Sequence, residues 1–82
     1  MLVTVKIWGS LKDAAGGQSE LQVEAKNIRE MLDRLGEAYP RMKPQLARGV
    51  SVSIDGTIYR DAWFTPLKPE NEVVLLPRLS GG

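Results

Sequence analysis

Apolar and polar residues alternate from the start of the chain. Across residues 2–8, Val3, Val5 and Ile7 fall on one face of a strand, and Thr4, Lys6 and Trp8 on the other. The first set reads as the core face. Trp8 is thereby placed outward, as part of a partner-docking patch or under a covering loop. Residues Ser10 to Ala15 suit one short helical turn, and Gly16-Gly17 breaks the chain. Glu20 to Ala25 alternates again, with Leu21, Val23 and Ala25 inward, so the first two strands read as a hairpin. Asn27 then caps a helix, with Glu30 three residues on as in a capping box. Ile28, Met31, Leu32, Leu35 and Ala38 form its apolar stripe, Arg29 and Asp33 lie four apart on the exposed side, and Pro40 ends it. Gly36 weakens this helix by about 1 kcal/mol relative to alanine.

A short helical piece follows over Met42 to Arg48. Val50, Val52 and Ile54 alternate with Ser51, Ser53 and Asp55, which places both serines outward. Asp55-Gly56 is a hairpin turn signal, returning as a short strand over Thr57-Ile58-Tyr59. Residues 61–72 are a long connection containing Pro66 and Pro69. Val73 to Leu76 is nearly all apolar, as a central strand covered on one face requires. The order predicts an α+β domain: a mixed sheet with one main helix packed on one face. A central last strand beside and parallel to the first would launch the following residues from the middle of the domain. A domain over 1–77 and a flexible tail over 78–82 are expected.

Composition narrows the chemistry. Eighty-two residues make one domain with one modest core. Eleven basic and ten acidic residues leave a net charge of +1, so no global attraction to nucleic acid or an anionic membrane is expected. There is no cysteine and no histidine. Disulfides, Cys/His zinc sites, cysteine nucleophiles and Ser-His-Asp chemistry are excluded, and no metal site is expected. Gly16-Gly17 lacks the Gly-x-x-x-x-Gly-Lys context of a phosphate loop. No stretch reaches membrane-spanning length, and the first residues lack the marks of a secretory signal, so a cytoplasmic protein is the expectation.

What remains is the end, Leu75-Leu76-Pro77-Arg78-Leu79-Ser80-Gly81-Gly82. Two glycines without side chains fit a channel too narrow for any other pair. Extended, residues 78–82 reach roughly 16–18 Å, enough to enter a partner's active site. A carboxylate is a poor acyl donor, but an ATP-using partner can convert it into an acyl-adenylate open to attack by sulfur or an amine.

In this setting the chain resembles the ubiquitin-like β-grasp sulfur carriers of the MoaD/ThiS family. The residues that carry the resemblance run in order along the whole chain. They are Leu11-Lys12-Asp13-Ala14-Ala15-Gly16 after the first strand, Ile28-Arg29-Glu30-Met31-Leu32, and Tyr39-Pro40. Val52-Ser53-Ile54-Asp55-Gly56 follows, then Thr65-Pro66-Leu67, Glu72-Val73-Val74-Leu75-Leu76-Pro77 and Ser80-Gly81-Gly82. The length is closer to that of MoaD, the small subunit of molybdopterin synthase, than to that of ThiS. The resemblance implies a β-grasp fold and a protein with no catalytic side chains and no intrinsic cofactor. An E1-like adenylyltransferase of the MoeB/ThiF type would use ATP to adenylate Gly82. A sulfur donor would convert it to a thiocarboxylate, with Gly81 as the slender approach. A MoaE-like large subunit, or another acceptor enzyme, would receive the tail. Trp8, Ile58 and Leu76 match the family's apolar docking surface, and Arg78, Leu79 and Ser80 would enter the partner with the tail.

Two departures stand out. Arg78 replaces a second proline common in the family, and Pro69-Glu70-Asn71 replaces an acidic turn containing glycine, where Asn71 can supply the left-handed conformation. Four readings stay open. They are a carrier for molybdopterin synthesis, a carrier for thiamin or cysteine formation, a ubiquitin-like modifier conjugated through Gly82, and an interaction domain with an inert tail.

Overall fold

The computed structural model describes residues 2–60 and 62–77. The strands are β1 (Leu2–Ile7), β2 (Glu20–Glu24), β3 (Val50–Ile54), β4 (Thr57–Tyr59) and β5 (Val73–Pro77). The helices are α1 (Ser10–Ala14), α2 (Ile28–Ala38) and α3 (Lys43–Arg48), with a 3-10 turn over Pro40–Met42 leading into α3. The strands form one sheet in the order β2-β1-β5-β3-β4. β5 is central, parallel to β1 and antiparallel to β3. The expected α+β mixed sheet with one main helix on one face is the architecture observed.

The inward row of β1 is Val3, Val5 and Ile7, all essentially inaccessible. Leu21 and Val23, Val52 and Ile54, and Val73 and Leu75 continue that face across the sheet. Ile28, Met31, Leu32 and Leu35 of α2 close over it. The helix stripe stops one turn short of the expectation: Ala38 is exposed, and the buried residue of the last turn is Gly36, which faces Lys43 and Leu46 of α3. Leu11, Met42 and Leu67 complete the core from α1, the 3-10 turn and the long connection. Alternation does not reveal these three, because each sits in a segment too short to show a period.

The start of α2 has its free N–H groups fully employed. Asn27 caps as expected, its side-chain oxygen accepting from the Glu30 N–H at 2.8 Å. The Ile28 N–H donates to the Thr65 carbonyl at 3.1 Å, and the Arg29 N–H to the Trp63 carbonyl at 2.7 Å. The long connection is therefore a strap across the helix N-terminus, supplying acceptors that a helix cannot supply for itself. The Arg29–Asp33 pair forms on the exposed side, at 3.8 Å.

Asp55 and Gly56 join β3 to β4 as a two-residue loop, with φ of 51° and 88°. Positive φ at both central residues marks a type I′ hairpin turn. The Asp55 carboxylate accepts from the Asn71 side-chain amide at 2.7 Å and from the Glu72 N–H at 2.8 Å. This corrects the expectation for Asn71: Asp55 is the non-glycine residue with positive φ among those described, and Asn71 has ordinary φ. Asn71 shapes the Lys68–Asn71 turn through its side chain, which accepts from the Lys68 N–H at 2.7 Å.

Candidate docking site at the tail exit

The face of the sheet away from α2 carries its own pattern. In the shared register Trp8 follows Lys6↔Val74 and Ile7↔Leu75, so it stands beside Leu76, and Leu76 pairs with Ser51. Val74 pairs with Ser53, and Ser53 with Ile58. Three strands thus bring Trp8, Leu76 and Ile58 onto one surface, as the strand parity of the sequence requires. Trp8 is 59% exposed and Ile58 56%, while Leu76 is half-buried between them. Together with Gly9, Ser51, Arg60 and Pro77 they line a hollow of about 340 Å³. Pro77, the last residue of β5, is among its lining residues.

Ser51 lies on the outward face as alternation predicts, beside its cross-strand partner Leu76, yet it is only 6% exposed. A two-residue period assigns a face and says nothing of what stands next to it on that face. No cluster of three or more acidic ligands suited to a metal ion occurs among the described residues. The lining is mostly apolar, with Ser51 and Arg60 as its polar members, so the arrangement can hold an apolar partner surface.

The profile of the ThiS family matches residues 5–82. The chain belongs to the ThiS family. No curated protein sequence matches it with comparable significance. Among solved structures, this ThiS-family chain is similar to small archaeal modifier protein 1 from Methanosarcina acetivorans. The two are 27% identical, cover 99% and 96% of their chains, and superpose with a TM-score of 0.82. It is also similar to a chain in the complex of subunits 1 and 2 of molybdopterin-converting factor from Helicobacter pylori. There identity is 24%, both chains are fully covered, and the TM-score is 0.70. A third similarity is to a chain of the BexX/CysO complex from Amycolatopsis orientalis, at 20% identity over 98% and 99% of the chains, with a TM-score of 0.77. The fold is accordingly that of the ubiquitin-like β-grasp proteins, MoaD/ThiS-like sulfur carriers included.

Of the site residues that the sequence suggests for this ThiS-family member, the structure brings Trp8, Ile58 and Leu76 together. Arg78, Leu79, Ser80, Gly81 and Gly82 lie outside the described residues. Three residues of the hollow escape a reading of the sequence. Arg60 is two residues beyond Ile58 and so shares its face, a signal that strand parity contains but that the three-residue length of β4 hides. Gly9 and Pro77 look like punctuation at strand ends. A second hollow, of about 350 Å³, lies between α2 and α3 and is lined partly by Trp63. Its lining shares no residue with that of the Trp8 hollow.

Proposed function

We propose that the chain is a sulfur carrier whose reactive group is the carboxylate of Gly82. The observation that carries this reading is the position of the apolar hollow of Trp8, Ile58 and Leu76 at the end of β5, five residues before Gly82 in the sequence. Family likeness running through Gly82 supports it. A partner of the MoeB/ThiF type would dock on the hollow and take the tail into its ATP site. There a carboxylate oxygen of Gly82 attacks the α-phosphorus of ATP, pyrophosphate leaves, and an acyl-adenylate forms. A sulfide equivalent from a donor then displaces AMP, leaving the thiocarboxylate. Gly81 keeps the approach slender, and Arg78, Leu79 and Ser80 contact the walls of the partner's channel. ATP belongs to the partner, and the cytoplasm is where this chemistry would run.

The acceptor we favour is a MoaE-like large subunit, in molybdopterin formation, with two carriers supplying two sulfurs. Support comes from the Helicobacter pylori likeness, a complex of two subunits of molybdopterin-converting factor. The BexX/CysO likeness supports the same use of a partner surface with a different acceptor. A second reading, a protein modifier joined through Gly82 to lysines, is favoured by the 27% identity to a small archaeal modifier protein.

Intact-protein mass spectrometry after incubation with ATP, a MoeB/ThiF-type enzyme and sulfide tests the carrier reading. Exchange of one oxygen for one sulfur is expected, and its absence after deletion of Gly81-Gly82. No mass change with an enzyme active on its own carrier would overturn the reading. Higher-mass conjugates of the chain in cells, lost on the same deletion, would establish the modifier.

A further inference from the structure

The junction of β1 and β5 holds a contact that the docking surface does not explain. The Trp8 N–H donates to the Leu75 carbonyl at 3.1 Å. In a parallel ladder the Trp8 carbonyl would next accept from the N–H of residue 77. Proline has no N–H, so the ladder stops there. The ring of Pro77 instead lies against Gly9. A Cβ built on Gly9 would stand 2.8 Å from the Pro77 Cγ and 3.4 Å from its Cδ. The first distance is shorter than side-chain contacts allow, and the obstacle is a closed ring on a strand, not the free end of a flexible side chain. Gly9 also has φ 66° and ψ −144°, a conformation for glycine alone. On its other side Pro77 is paired with Val50 of β3. Pro77 also borders a third, smaller hollow of about 150 Å³ lined by Ser10, Gln45, Arg48, Gly49 and Val50. Gly9 on one side and Val50 on the other therefore hold Pro77, the last described residue of β5.

We propose that Gly9 is a positioning residue for the tail: its bare Cα seats the Pro77 ring, and that seat fixes the direction in which the chain leaves β5. The inference rests on the carrier reading. It adds that a partner's channel meets a preset exit direction, while the hollow supplies the affinity. Displacing the ring moves Pro77, the residue from which the reactive end continues, and catalysis by approach is sensitive to such misplacement.

The test compares wild type, Gly9→Ala, Pro77→Ala and the double variant. One readout is the nuclear Overhauser effect between the Gly9 Hα and Pro77 ring protons. The other is ATP–pyrophosphate exchange catalysed by a MoeB/ThiF-type enzyme with the full chain as substrate. Gly9→Ala is expected to lower kcat at least tenfold with KM changed less than threefold, because Trp8, Ile58 and Leu76 still dock. Pro77→Ala removes the atoms that the added methyl would strike. The double variant should therefore exchange as fast as Pro77→Ala alone, although the strained φ at position 9 persists. Effects that multiply in the double variant, or a kcat unchanged in Gly9→Ala, would overturn the proposal. If Gly9→Ala does not fold, Pro77→Ala decides: a lowered kcat at constant KM supports the seat, and an unchanged kcat removes it. A wild-type chain lacking the Gly9–Pro77 effect refutes the contact itself. A wild-type chain that shows the effect yet supports no exchange overturns the carrier reading and leaves the contact standing.

Discussion

Trp8 illustrates how a single residue can be stable and exposed at once. Its backbone is locked between β1 and β5, since its N–H continues the ladder to Leu75. Its side chain is 59% exposed on the face away from the core. Removing the indole therefore costs the fold little, because it forms no part of the buried cluster. In a complex the same ring would be covered, and a large aromatic in an apolar patch is a common anchor of an interface. Trp8→Ala is expected to weaken binding to the activating enzyme or acceptor by about 2 kcal/mol or more. Its own unfolding free energy should change by less than about 1 kcal/mol. Calorimetric titration against the partner, beside a denaturant melt of the free chain, separates the two effects. Equal affinity with a folded variant would take Trp8 out of the site. Asp55 makes the opposite case. It is exposed and lies far along the chain from the tail, yet its carboxylate ties the β3–β4 hairpin to the segment entering β5. The Asp-Gly pair declared the turn in the sequence, while the latch to Asn71 and Glu72 became visible only in three dimensions.

At the scale of elements, α2 shows a local conflict with a clear remedy. Gly36 sits in the helix with ordinary φ and so gains nothing from being glycine in the backbone. It is buried, facing α3. A Cβ there would lie 3.4 Å from the Lys43 Cγ and 3.6 Å from the Leu46 Cδ1, ordinary contact with two flexible side chains. Gly36→Ala should therefore raise stability by about 0.5–1 kcal/mol, the helix-propensity difference between the two residues. A higher midpoint in urea at an unchanged slope would show it; a lower midpoint would mean that the added methyl is not accommodated against α3. Elements with a sustained period were legible from the sequence: β1, β2, β3, β5 and α2 all stand within a residue or two of the expected bounds. What escaped has a common cause. Ala38 carries the period of α2 past the point where the helix still faces the core. Leu67 is buried because the long connection straps the helix start, a placement decided by the unfilled acceptor needs of Ile28 and Arg29 and not by any pattern around Leu67 itself.

For the whole molecule, the central position of β5 links stability to function by keeping them apart. The buried cluster runs from Val3 to Leu75, and its last member belongs to the strand held by β1 on one side and β3 on the other. Among the described residues the core ends at Leu75, two residues before Pro77. Alternation and the long apolar run made this arrangement foreseeable, and the outward place of Trp8 with it, whereas Ile58 and Leu76 were suggested by the family resemblance and not by the period of their short strands. The Gly9–Pro77 seat was not foreseeable, because a close approach between a strand end and a turn leaves no period in the sequence. Division of labour on this scale makes a sharp expectation. Deleting Gly81-Gly82 should shift the thermal midpoint by less than about 4 °C, the range that corresponds to surface changes in a domain of this size. The same deletion should abolish sulfur uptake while leaving docking on the Trp8 hollow near the affinity of the full chain. Scanning calorimetry and partner titration on one preparation measure both. A large loss of stability would show that the tail contributes to the fold, and lost docking would show that the hollow alone does not hold the partner. Either result would move the recognition of this chain from its sheet face to its end.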